Sequence, residues 1–362
     1  MRTKRADRAR RHPGSRADGR DTGPPACRLV GEERSCRGEP DGVPQTGRRR
    51  YRQLSAVSVS LVVPAPDLMI VCSIRRWVAD DLRTGAGGRF PVRHDFGFDL
   101  PALPEAGTVA WWAPTEHAVR LLRAGVPLDL SAPGPEWLAG LPEAVTGRPV
   151  WAGRLSELDL APEEGWMKPA EAKVPGLPAT WYSRDAFRAA AVDAGFPDGS
   201  WAQASPVRLE LTEEHRCFVL DGEVLTSSPY LAADGSTYAE GWETNDDFDH
   251  RSAQGFAQEV VDSLGDDQPS SYVLDVAKTV ADGWVVVEAN PAWCSGTYGC
   301  DLHAVVDVVV GSSATPVDDA APSRHGRFRW RPDAYLTALA NKQRLLAPRC
   351  APTVPCQPAS TA

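Results

Sequence analysis

An α+β fold in two parts is what this sequence predicts: a small α/β domain over residues 69–150, then a larger two-lobed unit over residues 151–312. Three observations carry that expectation. From Met69 onward, short β-rich apolar runs and helical stretches succeed one another between Gly/Pro turns. Asp221-Gly222 and Asp282-Gly283 each stand between β-rich runs, a strong short-range hairpin signal. A chain of 362 residues, 42% hydrophobic and 24% charged, is long enough for two cores and ordinary in composition for a soluble globular protein.

Residues 1–66 read differently. They hold 15 Lys/Arg against 7 Asp/Glu, are rich in Pro and Gly, and show almost no apolar periodicity before Leu54. Such a composition cannot offset its ordering entropy by burial, so a disordered basic leader is expected, with folded protein beginning near Met69. That local charge of +8 leaves −17 on the remainder of a chain whose net charge is −9. An acidic body repels phosphate backbones, which argues against a nucleic-acid partner and requires any nucleotide site to bring its own cations. The apolar stretch Leu54–Val63 is too short, too serine-rich and too far from the start for a secretory signal, and no run reaches the roughly 18 apolar residues of a membrane span. Eight scattered cysteines read as reduced thiols of a cytoplasmic protein.

The elements follow in order. Ile70–Ile74 and Thr108–Trp112 read as strands, and Thr115–Gly125 as a helix with Thr115 as its cap. Trp151–Gly153 and Gly165–Pro169 are short strands, the second running into a Pro/Gly-rich loop that contains Lys173. Ser183–Gly195 is a helix capped by Ser183. Trp201–Leu211 is strand and link, and Arg216–Thr226 a hairpin about Asp221-Gly222. His250–Leu264 and Asp301–Val309 are helices. Over residues 313–362 the reading is a linker (Pro316–Arg329), a helix (Asp333–Leu346) and a frayed Pro-rich end.

Chemistry concentrates in Tyr272–Asn290. If Asp282-Gly283 is a two-residue turn, Ala277 faces Glu288 and Asp275 faces Asn290. Asp275, Glu288 and Asn290 then share one face of an otherwise apolar ribbon, which is unfavourable unless a ligand compensates. Hard oxygen donors of that kind suit Mg²⁺ held together with substrate phosphates. The pattern therefore points to an ATP-using enzyme. Lys168 and Lys173 bracket a flexible Pro-Ala-Glu-Ala segment, as expected of lysines that reach nucleotide phosphates. Arg216 opens an apolar strand run, and its planar guanidinium suits a transferring phosphoryl group or a substrate carboxylate. A zinc site from Cys294, Cys300 and His303 is the chemical rival, weakened by unusual spacing and the lack of a fourth ligand.

The order of these segments resembles the ATP-grasp superfamily, and most closely its R2K clade. The resemblance rests on Trp166–Lys173, on Ser205-Pro206-Val207 through Glu214–Gly222, and on Tyr272–Asp275 through Val287–Pro291. It covers about residues 150–310 and implies an ATP-grasp-like two-lobed nucleotide-binding fold. It further implies ATP between the lobes, with adenine against the link near Gln203, Ala204, Ser205 and Val207. Lys168 and Lys173 would contact phosphates, Asp275, Glu288 and Asn290 would hold one or two Mg²⁺, and Arg216 and Lys168 would be the catalytic pair. The implied reaction joins a small-molecule or peptide carboxylate to an amine through an acyl phosphate, as in a carboxylate–amine ligase. The departure is Val174–Pro178, which carries one glycine where the superfamily has a Gly-rich phosphate-covering loop. An ATP-dependent kinase and a catalytically silent nucleotide-binding protein are the alternatives; substrate identity and oligomeric state stay open.

Overall fold

Three four-stranded sheets organise the chain. The computed structural model describes residues 64–97, 99–239, 241–242, 245–281, 283–317 and 323–346. Nearly all of the expected leader, Asp282 of the expected turn, part of the expected linker and the end beyond residue 346 lie outside the described residues.

The first sheet is mixed. Strand β1 (Leu68–Ser73) runs parallel to β2 (Val92–Phe96) on one side and to β3 (Thr108–Trp112) on the other. Helices α1 (Arg76–Ala86) and α2 (Thr115–Arg123) follow β1 and β3. β1 buries both faces, as an inner parallel strand does: Ile70 and Cys72 enter one core, Met69 and Val71 another. Thr115 is the first residue of α2 rather than its cap; Pro114 occupies the cap position and offers no side-chain acceptor.

The second sheet is antiparallel. A one-turn helix α3 (Glu143–Thr146) precedes β4 (Trp151–Arg154), β5 (Glu164–Pro169), β6 (Thr180–Ser183), helix α4 (Arg184–Asp193) and β7 (Trp201–Ser205). The strand order is β4-β7-β5-β6. β6 lies where the sequence suggested only loop; Thr-Trp-Tyr-Ser has the composition of a strand and pairs with β5, Trp181 against Trp166. Ser183 ends it and caps α4, its Oγ accepting from Ala186 N (3.2 Å).

The third sheet, in the order β11-β10-β8-β9, carries the chemistry. β8 (Leu211–Leu220) and β9 (Glu223–Ala232) form the hairpin expected about Asp221-Gly222, longer than predicted. Both turn residues have positive φ (47° and 83°), as a type I′ turn demands. Helix α5 (His250–Leu264) leads into β10 (Ser271–Thr279) and β11 (Trp284–Asn290). Along β8 and β10, Cys217, Val219, Tyr272, Leu274 and Val276 join the core beneath α5. Phe218 and Val273 point the other way, into a core that includes Val305, Val308 and Val309 of helix α6 (Leu302–Ser313). Asp301 caps α6 through Oδ1 to Ala304 N (2.9 Å). α6 also packs on α1, where a Cβ on Gly85 would lie 2.1 Å from the Leu302 carbonyl oxygen, so only glycine permits the approach.

The chain then returns to the first sheet. Thr315 and Pro316, where the sequence suggested a linker was beginning, form the two-residue strand β12 antiparallel to β3. Trp330 enters the core, and α7 (Ala334–Leu346) packs against α2. Among the described residues no helix is long and apolar enough to cross a membrane.

The β10–β11 ribbon corrects the predicted register. Its last pair before the turn is Lys278–Trp284, so the connection is three residues longer than an Asp-Gly turn allows. A bulge then inserts Val287, giving Val276–Val286 on one side of it and Asp275–Glu288 on the other. Asp275 faces Glu288, not Asn290. The net slip is two residues; an even slip keeps side chains on their faces, and the expected grouping survives.

Candidate active site

Glu214 and Arg216 of β8, Asp275 of β10, and Glu288 and Asn290 of β11 lie on one face of the third sheet, beyond the part that α6 covers. The bulge is what puts them there together. Val286 packs in the α5 core, and in a regular strand Glu288, two residues on, would follow it. The extra residue reverses the face. Arg148, which precedes β4, holds that irregularity: its guanidinium donates to the carbonyl oxygens of Val286 (3.3 Å) and Val287 (3.2 Å).

The contacts form one network. Arg216 grips Asp275 with two hydrogen bonds, Nε to Oδ1 (2.9 Å) and Nη2 to Oδ2 (2.7 Å), and both side chains are buried. Asn290 Nδ2 donates to Asp275 Oδ2 (2.9 Å) and Glu288 Oε1 (3.0 Å), tying the carboxylates together. Lys168, from β5 in the second sheet, donates to Glu288 Oε2. One lobe thus supplies the lysine and the other the acids.

Electrostatics follow from this pairing. The Lys168 ammonium, against the opposing effect of burial, holds the Glu288 carboxyl down at about 2. Burial pushes Asp275 up while the Arg216 guanidinium pulls it down. Burial alone would lower Arg216, but the Asp275 carboxylate beside it holds it well above its ordinary value. A guanidinium keeps its proton, so Arg216 is charged. Burial also raises Glu214, which accepts a hydrogen bond from Tyr230.

Beside this face opens a cleft of about 610 Å³. Its walls include Lys168, Glu171, Lys173, Glu288, Asn290, Thr115 and Trp330, drawn from the second and third sheets, the start of α2 and the connecting segments. Val174 and Leu177 fasten the loop after Lys173 by bridging to each other and burying their side chains. Gln203 pairs with Lys168 across the β5–β7 ladder and lines a small recess with Lys168, Glu288 and Asn290. Its Nε2 donates to Pro135 O (2.9 Å). Ala204 turns into the apolar core, Ser205 is buried with its hydroxyl bonded to the Val207 backbone, and Val207 is exposed. The structure therefore brings Lys168, Lys173, Glu288 and Asn290 to one cleft and Gln203 to the recess beside it. Asp275, fully buried, lines neither and meets them through Asn290, with Arg216 behind it; Ala204, Ser205 and Val207 also line neither.

Among the described residues no group of three His, Cys, Asp or Glu side chains is arranged to hold a metal ion. The face offers instead two carboxylates and an amide. Each carboxylate keeps lone pairs beyond those its cation and Asn290 use, and the Asn290 amide bonds to both carboxylates. That donor chemistry fits Mg²⁺, which takes few protein oxygens and retains water and phosphate ligands.

Sequence reading missed Arg148, Glu214 and Tyr230. Alternation with Arg216 would have flagged Glu214; nothing local marks Arg148, whose partners are backbone carbonyls some 140 residues away.

No protein of curated function matches the chain in sequence. Among solved structures it is similar to D-cycloserine synthetase DcsG, at 16% identity and a TM-score of 0.43 over 67% of this chain and 98% of that one. A RimK domain ATP-grasp protein from Sphaerobacter thermophilus aligns at 15% identity and 0.40, over 67% of this chain and 99% of the other. D-alanyl-alanine synthetase A from Vibrio cholerae aligns at 11% and 0.42, over 68% and 97%. The family model described as "ATP-grasp domain, R2K clade family 2" matches residues 145–308, the span holding both the lysine-bearing sheet and the acidic ribbon. Residues 145–308 of this chain are an ATP-grasp domain of the R2K clade.

Proposed function

We propose that the protein is an ATP- and Mg²⁺-dependent carboxylate–amine ligase that forms an amide or peptide bond through an acyl phosphate. The observation that carries this reading is the joining of Lys168 from one lobe to Glu288, Asn290, Asp275 and Arg216 of the other beside a single cleft. ATP would lie between the lobes, its phosphates met by Lys168 and Lys173, and its adenine toward Gln203, the residue of the expected link that borders the recess beside Lys168. Mg²⁺ held by Asp275, Glu288 and Asn290 would neutralise charge on the phosphate oxygens. Arg216 adds a fixed positive charge behind Asp275, oriented before the reaction begins. The substrate carboxylate attacks the terminal phosphorus and ADP leaves; the amine then attacks the acyl carbon and phosphate leaves. No protein nucleophile is needed. The carboxylate and amine belong to small molecules or to peptides.

Glu288→Gln tests the reading, because it removes one metal-binding charge at constant shape. Mg²⁺-dependent ADP release in the presence of pooled amino acids and short peptides should fall by on the order of 100-fold or more, with the melting transition retained. Unchanged turnover would remove the proposal. ADP release that needs no amine and leaves a stable phosphorylated product would identify a kinase.

A further inference from the structure

The segment Ser295–Asp301, which joins β11 to α6, is fastened from two sides. Toward the first sheet, Ser295 O accepts from Trp112 Nε1 (3.1 Å) and Thr297 Oγ1 donates to Asp81 Oδ2 (2.7 Å). Toward β9, Gly299 N donates to Ser228 Oγ (3.1 Å) and Asp301 N to Thr226 Oγ1 (2.9 Å). Between these anchors Tyr298 has φ +45°. Among the described residues only Asp221 shares that condition without being glycine, and it sits in a hairpin turn that requires it. Such strain persists where the surroundings over-determine the backbone, and it gathers at working sites.

Glycine would adopt this backbone conformation without strain. What tyrosine adds is a ring. That ring stacks on Tyr230 with centroids 5.2 Å apart and planes at 17°. Arg216 Cζ lies 5.1 Å from the Tyr298 centroid and 5.3 Å from that of Tyr230, both within cation–π range. Tyr230 is itself tied to Glu214 through its hydroxyl. Two aromatic rings thus bear on a guanidinium whose Nε and Nη2 are already fixed to Asp275.

We propose that Tyr298, forced into the left-handed region by its pinned loop, is a positioning residue that with Tyr230 clamps Arg216 onto Asp275 and so holds the guanidinium in place for phosphoryl transfer. The proposal rests on the ligase reading for its kinetic consequence, but the clamp itself is structural.

Full-length Tyr298→Gly and Tyr298→Phe, each compared with wild type, test it. Glycine removes the ring while relieving the backbone, and a melting transition recorded for each variant separates lost stability from a lost clamp; phenylalanine keeps the ring. The first readout is the ¹⁵N-edited signal of the Arg216 Nε–H, assigned with Arg216→Lys, which survives exchange with water only while that group stays hydrogen-bonded and shielded. The second is kcat and KM for Mg²⁺-dependent ADP formation. In Tyr298→Gly the Nε–H signal should vanish, and kcat should fall on the order of 10- to 100-fold with KM for ATP within about 2-fold. Tyr298→Phe should retain both. An Nε–H signal intact in Tyr298→Gly, or a loss in Tyr298→Phe equal to that in Tyr298→Gly, overturns the clamp. Absence of Mg²⁺-dependent turnover in wild type would instead sink the ligase reading, and the Nε–H signal would still decide the clamp.

Discussion

Glu171 shows how position within one short loop sets the chemistry of a side chain. It stands between Lys168 and Lys173 in sequence and lines the same cleft, yet its carboxyl is pushed up to about 8, by burial first and by Asp333 second, with Arg154 opposing. Its ordinary value is 4.5, so folding holds it neutral where the unfolded chain ionises. The stability this contributes is intact below about 4.5 and is lost as pH rises through about 8. Glu171→Gln should therefore flatten the fall in urea midpoint between pH 5 and pH 8, and an unchanged slope would refute the assignment. Glu288 behaves oppositely. With its carboxyl lowered to about 2, its stabilising contribution is present above 4.5 and disappears only as pH falls through about 2.

At the scale of elements, the β10–β11 ribbon decides whether the acidic residues meet. A one-residue bulge at Val287 sends Val286 to the α5 core and Glu288 to the cleft. Deleting Val287 should straighten the strand: Glu288 becomes the neighbour of Val286 and, by alternation, keeps the cleft-facing side. The expected outcome is a lower urea midpoint, because Arg148 loses a carbonyl acceptor, with Mg²⁺-dependent ATP turnover retained. Loss of turnover with the melting transition intact would show that alternation about Val287 does not set the faces. The strand and its polar residues were legible because alternation survives an even slip. The turn was not, since Asp-Gly specifies a tight hairpin only when tertiary contacts allow one; here Thr279 closes a longer loop by donating N–H to Gly283 O (2.8 Å).

At the scale of the molecule, the C-terminal segment is part of the core. Trp330 N donates to Leu130 O (2.7 Å), and its ring packs edge-on against the buried Trp293, centroids 4.9 Å apart. Trp293 in turn donates Nε1 to Ser131 O (2.8 Å). Trp330 also lines the cleft, so the segment leading into α7 borders the same space as the central domain. Trp330→Ala should cost about 3–5 kcal/mol in urea unfolding, as other buried aromatic truncations do. A loss below about 1 kcal/mol would mean that the segment packs only superficially.

The sequence by itself determined the α+β character, the elements with strong local signals, such as the Asp221-Gly222 turn and the cap Ser183, and part of the set of residues that the cleft gathers, Lys168, Lys173, Glu288 and Asn290. These are local matters: alternation, capping and turn chemistry act over a few residues. Tertiary structure alone decided that Asp275 faces Glu288, that Arg148 supports the bulge from outside the ribbon, that Tyr298 bears on Arg216, and that β12 and Trp330 return to the first sheet. Each depends on groups far apart in the chain, and their meeting is fixed by packing, which no local pattern of residues encodes.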